Sequence, residues 1–263
     1  MLVRKIAAVL AAAAAVSAAA AMVFADSKGI GINRINFPDE VFRGYVSENF
    51  DTDRNGYLSK DEREAVTEIN VGVNWEGYKW ANSVRSLKGV EHFPELKKID
   101  CSECTLKKLD VSKNPALEKL YCNECGLTRL DVGKNANLTL LSCYENELKR
   151  LDLKNNTKLV IALCYLNELE SIDISNCAKL EQLHCAVNEL AELDISGCPE
   201  LAGLHCDGNM LTELNAKSCP KLKKLCCTFN KLTELDLSAC KDGIDVNCDK
   251  GVNITGENVR LCR

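Results

Sequence analysis

Aromatic residues make up only 5% of this 263-residue chain, although hydrophobic residues reach 46%. Any core must therefore be aliphatic. The net charge is -5, and no basic tract runs longer than a few residues, which argues against a nucleic-acid footprint. No phosphate-binding loop and no hydrolase nucleophile elbow occurs. Those absences remove several common enzyme classes. What remains is a chain long enough for one elongated domain plus a small one.

The N-terminus reads as a targeting segment. Arg4 and Lys5 precede an alanine-rich apolar run over residues 6 to 23, and "VFA" offers a cleavage point after Ala25. The rival reading is a membrane anchor, but the run is mostly weakly apolar alanine. Residues 1 to 25 are thus expected to be a signal peptide, with no membrane span after its removal. Losing Arg4 and Lys5 takes the charge from -5 to -7. No lipid-attachment cysteine follows, and the C-terminal "ENVRLCR" is not a sorting signal. A secreted or periplasmic location is expected.

The strongest signal is an internal repeat. Cysteines recur at Cys101, Cys122, Cys143, Cys164, Cys185, Cys206, Cys227 and Cys248, each step being 21 residues. A second column runs Cys104, Cys125, Asn146, Asn167, Asn188, Asn209, Asn230, and a third runs Asn114, Asn135, Asn156, Cys177, Cys198, Cys219, Cys240. The unit "LEKLYCNECGLTRLDVGKN" follows L-x-x-L-x-[LC]-x-x-[NC]-x-L and then repeats L-x-x-L-D-V-x-x-N within itself. Each repeat therefore carries two short extended segments. One repeat buries too little to offset its own chain entropy, whereas stacked repeats cover one another. The expected fold is a mainly β solenoid with parallel strands, over residues 85 to 263, with about eight repeats and a C-terminal cap. Asn at the turns can bond exposed backbone groups.

This nested unit resembles the repeats of secreted bacterial leucine-rich repeat proteins of the internalin J type, over about residues 85 to 250. The resemblance implies a curved parallel solenoid acting as a surface adhesin or interaction module.

Sixteen cysteines in an exported chain suggest disulfides. The ladder, however, occupies an inward Leu position, where a thiol acts as a small buried hydrophobe. Side chains stacked ~4.8 Å apart run alongside one another rather than toward one another. Reduced structural thiols are expected there. Cys226 and Cys262 belong to none of these three columns and are the candidates for reactivity.

"DTDRNGYLSKDE" fills every ligand position of a calcium-binding EF-hand loop. Asp51, Asp53, Asn55, the Tyr57 carbonyl, Ser59 and Glu62 stand at positions 1, 3, 5, 7, 9 and 12, with Gly56 at the turn. The alternative is an acidic surface turn. Phe42, Tyr45, Val46 and Phe50 line one helical face before the loop, with Pro38 expected in the first turn, and "SKDEREAV" leaves as a second helix. No second such loop occurs. An α-helical cap over residues 26 to 71, holding one structural Ca2+ and covering the open end of the solenoid, is expected. Residues 72 to 84 form the connector, with Trp75, Tyr78 and Trp80 packing at the junction.

Positions flanking each ladder cysteine should point out of the concave sheet. One column reads Asp100, Tyr121, Ser142, Leu163, His184, His205, Cys226, Asn247. The other reads Ser102, Asn123, Tyr144, Tyr165, Ala186, Asp207, Thr228, Asp249. Tyr121, Tyr144, Leu163, Tyr165 and Leu166 make an aromatic-aliphatic patch suited to a protein or glycan partner; the alternative is drift within a repeat. A further column, Asp110, Asp131, Asp152, Asp173, Asp194, Asn215, Asp236, reads either as Asx turns or as a stripe for cationic ligands. His184, His205, Asp207 and Cys226 share one face and allow a zinc or thiol-enzyme reading, but no oxyanion hole or substrate pocket accompanies them. The expectation is a monomeric, non-enzymatic, exported recognition module. A self-associating surface component is the other alternative.

Overall fold

A computed structural model describes residues 29–72, 83–240 and 242–262. The expected signal peptide and the connector aromatics Trp75, Tyr78 and Trp80 lie outside the described residues. The chain enters through β1 (Ile30–Gly31), helix α1 (Glu40–Asn49), β2 (Tyr57–Leu58) and the short helix α2 (Lys60–Ala65). It then forms β3 (Glu68–Asn70), β4 (Lys98–Asp100), β5 (Lys119–Tyr121), β6 (Leu140–Ser142), β7 (Arg150–Asp152), β8 (Ile161–Leu163), β9 (Ser171–Asp173) and β10 (Gln182–His184). The last strands are β11 (Gly203–His205), β12 (Lys224–Cys226), β13 (Glu234–Asp236), β14 (Ile244–Asn247), β15 (Asn253–Thr255) and β16 (Val259–Leu261).

Ten strands form one sheet in the order β16-β14-β12-β11-β10-β8-β6-β5-β4-β3. The pairing is parallel throughout, and from β4 to β14 it is in register at the 21-residue period, with Leu120 opposite Leu141 and Leu183 opposite Leu204. Short strands with one inward residue each cannot form a sheet alone. Stacking gives each a partner on both sides and buries a continuous aliphatic file. Ile99, Leu120, Leu141, Ala162, Leu183, Leu204, Leu225 and Val246 form that file, and the ladder cysteines from Cys101 to Cys227 form the next. This is a parallel β-solenoid with little helix. None of the sixteen cysteines forms a disulfide. Cys248 departs from the expected burial and is only half-covered. It directly follows β14, beyond which this sheet has only β16 among the described residues.

The second segment of each repeat is less regular than expected. Among the described residues it forms strand pairs only between β7 and β9 and between β13 and β15. Elsewhere its inward residues still bury, as Leu130 and Val132 or Leu193 and Ile195 do. Its carbonyls are instead met by turn side chains: Val111 O accepts from Asn135 Nδ2 at 2.9 Å, and Val132 O from Asn156 Nδ2 at 3.0 Å.

The N-terminal end is closed by the helix-loop-helix. Asp39 caps α1, its Oδ1 accepting from Phe42 N–H at 2.8 Å. Pro38 therefore precedes the cap instead of sitting in the first turn, because Asp39 carries the side-chain oxygen that accepts from the helix N–H groups and proline has none. Phe42, Tyr45 and Val46 are buried. Phe42 and Tyr45 join Phe37, Phe50 and Phe93 in an aromatic cluster, with Phe50 and Phe93 centroids 5.4 Å apart. The chain's few aromatics are thus concentrated where the cap meets the first coil. Gly89, at φ 111°, lies so close to Phe37 that a Cβ would stand 2.2 Å from its ring. Asp39 Oδ2 also accepts from Arg85 and Ser86 N–H at 2.8 and 3.1 Å, tying the helix start to the solenoid.

Candidate functional sites

The acidic loop runs between α1 and α2. Asp51 is buried, and its two oxygens accept from Asn55 and Gly56 N–H at 3.1 and 3.0 Å. Asp53 Oδ1 accepts from Asn55 N–H at 3.1 Å. Glu62 closes the loop: Oε1 accepts from Thr52 N–H and hydroxyl, and Oε2 from Ser59 N–H and hydroxyl, all within 2.8 Å. Desolvation opposes ionisation of Glu62, but these hydrogen bonds outweigh it and hold the carboxyl down at about 2. Ser59 in turn caps α2, so Glu62 belongs to a capping box. Oxygens of Asp51, Asp53 and Glu62 lie within 4.8 Å of one another, and no other such group of three acidic, His or Cys side chains occurs among the described residues. Hard oxygen donors around a Gly56 turn at φ 81° suit a hard cation. The flank of the loop, β2, pairs antiparallel with β1, Ile30 opposite Leu58. Sequence reading missed this. The chain supplies from its own N-terminal side the strand that a second loop would otherwise offer, and a two-residue strand leaves no periodicity to detect.

The outer sheet face carries Tyr144 and Tyr165 stacked at 4.5 Å and 9°. Burial pushes both phenols upward. Tyr121 lies under Lys98, whose Nζ is 5.9 Å from the ring centroid. Leu163 is half-buried. Two positions expected to face outward are buried. Asn123 and Ser142 sink between the tyrosines because Ser142 donates to Asn123 Oδ1 at 2.8 Å, while Asn123 reaches Ser102 Oγ at 3.2 Å. Paired small polar groups can bury without an orphan.

Beside this face runs a rim that the sequence reading touched only at Leu166. Glu103, Glu124, Glu145, Leu166, Val187, Gly208 and Phe229 all take left-handed backbone, with φ from 52° to 65°. Its members change from acidic to apolar along the solenoid. Leu166 is 41% exposed, Val187 48% and Phe229 79%, with Met210 nearby in sequence at 39%. Reading that column at the 21-residue period would have revealed Val187 and Phe229.

The His184 and His205 rings lie 4.3 Å apart, tilted by 36°, and burial depresses both imidazoles. Burial raises the Cys226 thiol and raises Cys122, Cys143, Cys164 and Cys185 well above the ordinary range. These are weak nucleophiles. The aspartate column resolves as Asx turns. Asp110, Asp131, Asp152, Asp173, Asp194, Asn215 and Asp236 each accept an N–H from two residues on, at 2.9 to 3.1 Å.

The coil geometry has solved counterparts. Over 89% of its length the chain is similar to the functional domain of InlJ from Listeria monocytogenes, which includes a cysteine ladder, at 21% identity and TM-score 0.56. The fold is that of a leucine-rich repeat solenoid. The chain spans 63% of that InlJ chain. YopM from Yersinia enterocolitica matches over 64% of this chain and 38% of its own at 22% identity, TM-score 0.53. Toll, in a Drosophila complex with Spatzle, matches over 77% of this chain and 33% of its own at 18% identity, TM-score 0.58. No protein-family model and no curated protein matches the sequence. No helix among the described residues is long and apolar enough to cross a membrane.

Proposed function

We propose that this chain is an exported, non-enzymatic recognition module. Its sheet face at Tyr144 and Tyr165, extended by the rim at Leu166, Val187 and Phe229, docks a protein partner. The carrying observation is the rim itself. Left-handed backbone disfavours residues with a Cβ by roughly 1–2 kcal/mol, and a β-branched residue there is a marked outlier. Gly208 meets the same requirement without that cost. Leu166, Val187 and Phe229 keep apolar surface exposed at these turns despite that cost, and a docked partner is a physical reason to retain it. The stacked tyrosines supply the rigid, amphipathic area that interfaces favour. The solenoid neighbours, one of them in complex with a protein, support this reading.

The cap loop is proposed to hold one Ca2+ through Asp51, Asp53, Asn55, the Tyr57 carbonyl, Ser59 and Glu62. The ion would offset three carboxylates held within 4.8 Å and fix Phe50, next to Asp51, against Phe93. Its role is structural: it locks the cap over the first coil. Calcium at about a hundred times its Kd adds about 2.7 kcal/mol to stability.

Two measurements test these readings. The double variant Tyr144→Asp/Tyr165→Asp should abolish capture of the partner from secreted or cell-surface material while leaving the unfolding midpoint within a few degrees. Unchanged capture removes the docking face. Calorimetric titration should give one calcium site that Glu62→Gln weakens at least tenfold; no heat in the unaltered protein removes the calcium reading.

A further inference from the structure

A second site lies half a coil away in sequence from the sheet face, at the start of the solenoid. A cleft of about 950 Å³ opens between the Ser86–Glu91 approach and the second segments of the first two coils. Five cations line it: Lys88, Lys107, Lys108, Lys113 and Arg129. All five are exposed, and none takes part in an ion pair among the described residues. Other surface lysines do find partners, as Lys154 does with Asp152 at 2.8 Å.

Three acids share the lining, but each already serves its own turn. Asp110 accepts from Ser112 N–H and Asp131 from Gly133 N–H, both at 2.9 Å, and Glu91 accepts from Gly89 N–H at 2.7 Å. The cleft therefore carries an excess of two positive charges, five against three, in a chain of net charge -5. Its floor is apolar, with Leu87 buried and Leu109 half-buried.

The local backbone departs from the later coils at the same place. In later coils an Asn side chain accepts the turn N–H, as Asn188 Oδ1 does for Leu169 at 2.9 Å. In the first coil that position is Cys125, and a thiol is a poor acceptor. Leu106 N–H turns instead to Cys104 O at 3.0 Å, and Lys107 takes φ 57° with its N–H on Cys125 O. The equivalent residues of the following coils, Thr128 and Lys149 among them, do not have positive φ. Lys107 is thus set into the cleft lining by a turn unlike those of the coils that follow.

We infer that this cleft binds a sugar chain bearing sulfate or phosphate esters. Exposed ammonium and guanidinium groups with no ion-pair partner among the described residues meet the ester anions. Aliphatic Leu87 and Leu109 offer a surface for the C–H face of a sugar ring. The second oxygens of Asp110 and Asp131 remain able to accept sugar hydroxyls. An acidic peptide brings carboxylates to those aspartates and no hydroxyls, so it fits the mixed lining less well. Lys108 and Arg129 hold equivalent positions one coil apart, about 5 Å in strand spacing, and so offer successive contacts along one chain.

The test is titration of the full chain with a sulfated oligosaccharide, a phosphodiester-linked polyol polymer, poly-glutamate and inorganic phosphate. The sulfated or the phosphorylated polymer should bind, and the tighter of the two identifies the ester. Binding should weaken several-fold as salt rises from about 50 to about 150 mM. Lys108→Ala/Arg129→Ala should lose at least tenfold in affinity with an unchanged unfolding midpoint, whereas Lys154→Ala should bind as the parent does. Equal binding of poly-glutamate, binding of neither esterified polymer, or undiminished affinity in the double variant overturns the inference.

Discussion

Two turn columns in this solenoid use the same two residue types in opposite order, and the contrast explains both. In the column from Cys104 to Asn230, cysteine comes first and asparagine follows; in the column from Asn114 to Cys240, asparagine comes first and cysteine follows. The asparagines of the first column work in both directions. Asn188 Nδ2 donates to Cys164 and Cys185 carbonyls at 3.1 and 3.0 Å, and its Oδ1 accepts from Leu169 N–H. Those of the other column only donate. Asn114, Asn135 and Asn156 each bury an Oδ1 with no partner. There a thiol does the same work without an orphaned acceptor: Cys219 Sγ reaches Ile195 and Cys198 carbonyls at 3.4 Å. Asparagine is needed where the turn lacks an acceptor; cysteine suffices where it lacks only a donor.

Substitutions can break that rule. The largest effect is expected for Asn188→Cys, which leaves the buried Leu169 N–H unpaired and should cost about 2–3 kcal/mol in urea unfolding. Asn135→Cys should cost about 1 kcal/mol or less. It removes an orphaned oxygen, and the carbonyls it leaves keep backbone donors: Asn114 N–H on Val111 O and Leu117 N–H on Asn114 O, at 3.0 and 3.1 Å. Equal costs at the two sites would end the distinction. The smallest effect belongs to the aspartate turns. The Ser hydroxyl, then the Ser N–H, two residues on lowers the carboxyls of Asp110, Asp173, Asp194 and Asp236. A depressed folded value means the stabilisation is complete above the unfolded value, about pH 4, and is lost as pH falls through the folded one. The unfolding midpoint should drop slightly on acidification below about pH 4, and Ser196→Ala should shrink that drop.

Much of this was legible in the sequence because the period repeats its own evidence. Eight cysteines at one spacing fix the stacking direction, and alternation then assigns inward and outward positions. Asn123 and Ser142 escaped because two polar side chains can satisfy each other and sink, a pairwise event that no single column records. The loop ligands Asp51 to Glu62 were readable from spacing alone. Their support by β1 was not, since antiparallel pairing of Ile30–Gly31 with Tyr57–Leu58 is a tertiary choice between short segments. Val187 and Phe229 were missed because an exposed apolar residue is ordinary in itself. It stands out only when its column is read at the 21-residue period, or by its left-handed backbone.

The unfolding midpoint of Val187→Gly, measured beside partner capture, tests the docking rim most directly. If the valine is kept for a partner, the glycine variant should be more stable by about 1 kcal/mol through relief of left-handed strain and should capture less. A variant that is less stable and binds undiminished would mean that the side chain serves the fold, and the rim would lose its claim as a recognition surface.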